Sequence, residues 1–181
     1  EAEQARAVGI GARIGAMEAT PTHANAELLT RFYRAFAALD ADAMAACYAP
    51  DARFRDEVFT LAGREEIAAM WRMLCAATRA KGMDAWSLQF SAIHADDQHG
   101  HAHWEPRYRF SATGRLVHNI IDAEFRFRDG LIIDHRDRFD FWSWSRQALG
   151  LSGWLLGWTP VLRGKVQAQA AANLKAFRRP A

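Results

Sequence analysis

Two cysteines, Cys47 and Cys75, are the only thiols in this 181-residue chain. They show no metal-binding or redox spacing, and two cysteines in a chain this long do not make a disulfide scaffold. A reducing compartment, the cytoplasm, is therefore expected. No apolar run approaches the roughly 20 residues needed to span a bilayer. Residues 1–23 hold no long apolar stretch, so no secretory signal is expected either. A large charge excess is also missing. The net charge of +2 is too small to argue for nucleic acid as a partner.

What remains is ordinary for a globular protein, 50% hydrophobic and 24% charged, and long enough for one domain with a real core. The reading divides it into a loose leader over 1–23, a domain over 24–145, and a C-terminal helical extension over 146–181 packed on that domain. Seven tryptophans stand out, four of them between residues 142 and 158.

Leu28, Leu29, Phe32, Phe36 and Leu39 fall on one helical stripe. A short second helix is expected over about 41–48, and a strand over 53–58 with Phe54, Asp56 and Val58 on one face. A third helix over 64–80 places Ile67, Met70, Trp71 and Leu74 on one side. The period then switches to two. Trp86, Leu88 and Phe90 alternate with polar residues, as do Trp104, Pro106, Tyr108 and Phe110. Thr159-Pro160 opens a last helix, expected to reach about 177 with Val166, Ala170, Leu174 and Phe177 inward. Helices followed by four long antiparallel strands and a further helix make an α+β fold, with helices packed on one face of a curved sheet.

The stretch from His118 to Phe141 carries most of the functional information. Ile121, Ala123, Phe125 and Phe127 alternate with Asp122, Glu124, Arg126 and Arg128, and Asp129-Gly130 marks a hairpin turn. A two-residue turn followed by regular pairing would put charges on the dry face. A three-residue loop, Arg128-Asp129-Gly130, pairs Ala123 with His135 and Ile121 with Asp137, and is the expected register. His135 and Asp137 then share the dry face, with Arg136 and Arg138 outside. A carboxylate beside an imidazole suits proton transfer; the bland reading is a hydrogen-bonded pair lining a wet cavity. Asp56 is a second candidate base, or else a strand-end carboxylate in solvent or paired with Arg53 or Arg55. Asn119 is a candidate for orienting substrate. Tyr33, Tyr48, Trp71, Trp104, Tyr108 and Phe125 are candidates for lining a site, or else core.

His94, His99, His101 and His103 suggest a metal only weakly. Their face points outward in this register and no cysteine or spaced carboxylate completes a set, so no metal is expected. The Trp-rich segment from Phe141 to Trp158 reads as a lid, a subunit contact or a membrane-surface element. Residues 159–181 carry five basic residues and no acid. Lid or subunit packing is the preferred reading, and membrane contact is not expected.

With these elements on one chain, the sequence resembles the NTF2-like superfamily, and within it the SnoaL-like proteins. The resemblance rests on Leu28 to Asp42, Tyr48-Ala-Pro-Asp-Ala-Arg-Phe-Arg-Asp56, Gly63-Arg-Glu-Glu-Ile67, and the hairpin ending His135-Arg-Asp-Arg-Phe-Asp140. It implies a cone-shaped fold and a homodimer formed through the outer sheet face. Ketosteroid isomerase in this superfamily has a general-base aspartate where Asp56 stands, but its two oxyanion-hole donors fall on Phe32 and Ala123. Limonene epoxide hydrolase has a last-strand aspartate where Asp137 stands. Its other four site residues fall on Trp104, Pro106, Phe54 and Asp56, of different type. SnoaL-type cyclases use an acid/base residue in this cavity, a part open to Asp137 or His135. The expectation is a cofactor-free enzyme that isomerises, cyclises, dehydrates or hydrolyses a small, mostly apolar organic ligand. The alternative is a non-catalytic binding module.

Overall fold

From the first helix through the last strand, the elements bury the faces that residue spacing marks out, and the buried faces meet on the inside of one curved sheet. The computed structural model describes residues 23–178, so the expected leader over 1–23 lies, but for its last residue, outside the described residues. Helix α1 (Ala24–Ala37) starts where the His23 ring accepts from the Asn25 N–H. It buries Leu28, Leu29, Phe32, Tyr33 and Phe36, the predicted stripe. Helix α2 (Ala41–Ala45) is capped by the Asp40 carboxylate and ends earlier than predicted. Tyr48 belongs instead to strand β1 (Tyr48–Arg55), because pairing with another strand claims its backbone. Strand β2 (Thr60–Ala62) folds back on β1, and helix α3 (Arg64–Ala80) follows with the predicted bounds. Glu65 and Glu66 sit in its first turn, where negative charge suits the helix dipole.

The remaining strands are β3 (Ser87–Ala95), β4 (His99–Arg109), β5 (Leu116–His118), β6 (Ile121–Arg128) and β7 (Leu131–Arg138). They form a seven-stranded sheet in the order β2-β1-β7-β6-β4-β3, with β5 paired to β4. The fold is α+β, as expected. The all-antiparallel expectation needs one correction, since β1 pairs with β7 in parallel. Register shifts interrupt the β1–β7, β3–β4 and β6–β7 ladders. Such irregularities bend strands and deepen the curvature of a sheet.

The hairpin corrects the predicted register. Asp129 and Gly130 both take positive φ, 53° and 71°, and form a two-residue turn with Arg128 opposite Leu131. A bulge between Phe127 and Arg126 then shifts the pairing by one residue. Phe125 therefore faces His135, and Ala123 faces Asp137, where Ala123 and Ile121 were predicted. The slip is two residues, an even number, so the faces are those predicted: His135 and Asp137 lie buried, while Arg138 on the other face is exposed.

After the sheet come α4 (Phe141–Leu149), α5 (Leu151–Leu156) and α6 (Pro160–Phe177). The Asp140 carboxylate caps α4, and Thr159 with Pro160 opens α6 as predicted. Along α6, Leu174 is buried and Val166 and Ala170 are half-buried, but Phe177 is exposed, contrary to its predicted inward position. It is the last residue of α6 and borders the rim of a cavity that Ala77 and Thr78 of α3 also line, which leaves much of its ring in solvent. Helices α4 and α5 pack closely through two glycines. A Cβ at Gly153 would run into the Ser145 carbonyl, and one at Gly157 into the Ser145 hydroxyl. That hydroxyl bridges the Trp142 and Gly153 carbonyls at 3.0 and 3.2 Å.

The expected outcome of Gly153→Ala is overpacking worth about 1–3 kcal/mol. Differential scanning calorimetry should show this as a melting temperature lower by roughly 2–12 °C. An unchanged melting point would mean that α5 does not hold this close contact.

Candidate active site

Period two in β7 aims His135 and Asp137 at the concave side of the sheet, beneath α1 and α3. His135 is 1% exposed and is ringed by Phe32, Tyr48, Phe54, Trp71 and Phe125, with ring centroids 4.3–6.4 Å away. Both of its ring nitrogens are engaged. The Tyr48 hydroxyl lies 2.7 Å from Nδ1, and Asp137 Oδ1 lies 3.0 Å from Nε2. Trp71 Nε1 donates to the Tyr48 oxygen at 3.2 Å, and Trp104 Nε1 donates to Asp137 Oδ1 at 3.2 Å.

One arrangement of hydrogens satisfies every member of this chain. The two indoles can only donate. Tyr48 accepts from Trp71, so its own hydrogen goes to His135 Nδ1. The ring then carries its hydrogen on Nε2 and gives it to Asp137. Burial holds the Tyr48 phenol well above its ordinary range, which keeps it a donor. Three donors thus run in series and end on one carboxylate oxygen, to which Trp104 donates separately. Asp137 Oδ2 accepts no hydrogen bond among the described residues and is not sealed off, although the residue is only 3% exposed. It opens into a cavity of about 600 Å³.

The cavity wall is mostly aromatic. Phe36, Phe54, Trp71, Trp86, Trp104, Tyr108, Phe139 and Trp144 contribute to it, and its polar groups include Asp56, Asn119, Asp137 and Arg109. Asp56 lies just past the end of β1, not inside a strand as predicted. Its Oδ1 accepts from the Val58 and Phe59 N–H groups and so closes the turn into β2. The pairing with Arg53 or Arg55, one of the alternatives for it, does not occur among the described residues. Its Oδ2, like that of Asp137, has no partner among the described residues. Desolvation by the apolar wall pushes the Asp56 carboxyl up to about 7. The two backbone donors oppose the shift, and the charge of Asp137 adds to it. Tyr108 is pushed up to about 12 by burial, and its oxygen accepts from Trp144 Nε1 at 3.0 Å. Asn119 is buried in the break between β5 and β6, its N–H bonded to the Pro106 carbonyl.

Asp56, Asp137, Asn119, Trp71, Trp104 and Tyr108 are thus brought to one cavity. His135, Tyr33 and Phe125 are not on its wall. His135 lies behind Asp137 because Tyr48 and the surrounding rings hold it there. Tyr33 and Phe125 are consumed by packing against each other and their neighbours, and the Tyr33 hydroxyl has no partner among the described residues. Tyr48, read from sequence as a possible lining residue, is not on the wall either; it reaches His135 through the parallel β1–β7 pairing, 87 residues apart, and no local pattern signals that. Trp144 and Leu149 come from the Trp-rich segment, whose first helix does border the cavity.

The histidines on the outer face form a different arrangement. His103 bonds Asp122 and Glu105 at 2.9 and 3.2 Å, and His118 bonds Glu105 at 2.6 Å. Among the described residues no group of three or more His, Cys, Asp or Glu is placed to hold a metal ion.

Comparison with known proteins agrees with this architecture. The profile of the SnoaL-like domain matches residues 29–135. Among solved structures, a candidate polyketide cyclase from Xanthomonas campestris pv. campestris superposes with a TM-score of 0.55 at 22% identity, covering 68% of this chain and 96% of that one. A hypothetical protein of ketosteroid isomerase-like fold from Catenulispora acidiphila, in complex with trimethylamine, gives 0.57 at 20%, covering 78% and 100%. An LEH-like epoxide hydrolase of M. tuberculosis gives 0.54 at 18%, covering 74% and 96%. No curated protein sequence matches significantly. The profile spans more than half of the chain, and the helix-backed curved sheet is the fold of these relatives, so the chain belongs to the SnoaL-like family of the NTF2-like superfamily.

Proposed function

We propose that the cavity binds a small, mostly apolar organic molecule and that the chain is a cofactor-free enzyme acting on it by proton transfer. One observation carries this reading: two carboxylates with different hydrogen-bond environments, Asp137 and Asp56, each turn an unpartnered oxygen into the same apolar cavity. Environments that set two acids apart are how acid and base roles are divided. In this reading Asp137 Oδ2 takes a proton from the substrate. The donors from His135 and Trp104 stabilise its charge and fix its direction. Asp56, with its carboxyl near 7, gives a proton back at another atom, and exchange with solvent restores both groups. His135 is a positioning residue here. The net chemistry is an isomerisation, cyclisation, dehydration or hydrolysis. Cyclase, isomerase-like and epoxide-hydrolase names among the structural relatives fit that range.

A non-catalytic binding module is the second reading. It is favoured by the turn-closing role of Asp56, which accounts for that residue without turnover. The extension over 146–181 acts in either case as part of the cavity wall, through Leu149, Val166, Ala170 and Phe177. Two copies are taken to meet through the outer sheet face around His103, Glu105, His118 and Asp122. Buried thiols at Cys47 and Cys75 suit the cytoplasm, and no helix among the described residues is long and apolar enough to cross a membrane.

Exchange of acidic C–H protons in D2O tests the reading without a known substrate. Wild-type protein should catalyse deuterium uptake into at least one of a panel of apolar cyclic ketones, followed by NMR. Asp137→Asn should slow it by about 100-fold or more while leaving the circular dichroism spectrum intact. Undiminished exchange would reassign the base. Ligands that raise the melting temperature without any exchange would favour the binding module.

Tyr48→Phe removes the donor to His135 and leaves Trp71 Nε1 without its acceptor. The expected cost is about 1–3 kcal/mol by urea denaturation, with exchange slowed less than in Asp137→Asn. A variant as stable as wild type would mean that the chain of donors is not closed through Tyr48.

Asp56 ties stability to pH. Its folded value of about 7 lies above the ordinary 3.8, so from about pH 4 to pH 7 the folded chain keeps a proton that the unfolded chain has lost. Stability from this group therefore falls as pH rises through that window. Asp56→Asn keeps the turn-closing oxygen and removes the titration. Its melting temperature relative to wild type should be higher at pH 8 than at pH 4; a pH-independent difference would contradict the raised value.

A further inference from the structure

The segment after the sheet presents a surface that the cavity does not use. Helix α5 meets α4 through Gly153 and Gly157, so its large side chains all project the other way. Leu151, Trp154 and Leu155 recur at i, i+3 and i+4 of α5 and form one stripe, and Trp158 follows in the turn after the helix. They are 74%, 59%, 55% and 73% exposed, and Leu156 and Val161 beside them are 51% and 69% exposed. An amphipathic helix normally turns such a stripe to the core. Here the stripe faces solvent, and a contiguous exposed apolar patch of this kind marks an interaction site.

Charge points to its occupant. The last 41 residues hold six of the chain's 23 Lys and Arg and none of its 21 Asp and Glu. Lys165 lies one turn beyond Val161 on the same face of α6 and makes no ion pair among the described residues. The Arg146 guanidinium lies 4.2 Å over the Trp142 ring, and the Trp142 Nε1 donates to the Trp154 carbonyl. Arg163 and Arg178 are already paired with Glu57 and Glu66. Tryptophan beside lysine and arginine, on a helix with an apolar stripe, is the composition of an interfacial element that lies on an anionic bilayer. A symmetric contact with a second copy would instead oppose these cations.

We propose that α5 and the first turns of α6 dock on the surface of an anionic lipid bilayer. The same α6 borders the cavity through Val166, Ala170 and Phe177. Docking would thus set the cavity beside the phase in which an apolar molecule concentrates. The surface reading stands on the exposed stripe and the charge, and does not depend on any reaction in the cavity.

Co-sedimentation of the full chain with vesicles tests it. Binding should be at least about tenfold tighter to phosphatidylcholine vesicles containing one-third phosphatidylglycerol than to phosphatidylcholine alone, and should weaken as salt is raised. The paired substitution Trp154→Ser and Trp158→Ser should abolish binding without lowering the melting temperature, since both rings are solvent-exposed. Lys165→Glu should reduce the preference for the anionic vesicles. No binding to either vesicle, or equal binding to both, would overturn the proposal. So would analytical ultracentrifugation showing a wild-type dimer that the double tryptophan variant dissociates, since that would give the face to a second copy.

Discussion

A carboxylate and an imidazole buried under aromatic rings are tolerable only if every donor finds an acceptor. The chain from Trp71 through Tyr48 and His135 to Asp137 meets that condition. It also ties together α3, β1 and β7, three elements far apart in sequence. Any shift of β1 against β7 would leave a ring nitrogen or a phenol unpaired. The polar chain therefore acts as a register lock for the parallel pair, alongside the packing of Phe54 and Phe125 on the same imidazole.

The same chain shapes the cavity. With His135 held behind it, Asp137 spends one oxygen on internal donors and leaves the other for whatever enters. Asp56 arrives at a similar state by another route, with one oxygen closing a turn and the other open. The apolar wall that could bind a hydrophobic body also desolvates Asp56. Affinity for apolar molecules and a carboxyl poised near neutrality thus share one physical cause.

Much of the architecture was legible because faces follow from spacing. The stripe of α1 needed only periodicity, the bounds of α3 and α6 needed helix-end signals as well, and the inward aim of His135 and Asp137 needed the argument against buried charge. The hairpin shows how such a reading can have the wrong register and the right faces. The predicted three-residue loop and the observed two-residue turn with a bulge differ by an even slip, which leaves side-chain orientation unchanged. Phe125 and Tyr33 show the opposite limit. Both point inward as read, but packing neighbours take up their surfaces before any cavity forms.

Composition and period, which are local properties, determined the helix faces, the dry side of the hairpin and the presence of carboxylates on it. The family resemblance added the cone. Tertiary structure alone decided that Tyr48 bonds His135, that His135 stands behind Asp137, and that Asp56 shares the cavity. Each of these is set by long-range pairing and by the dielectric of a wall assembled from distant segments. Neither is encoded in the spacing of any one stretch of chain.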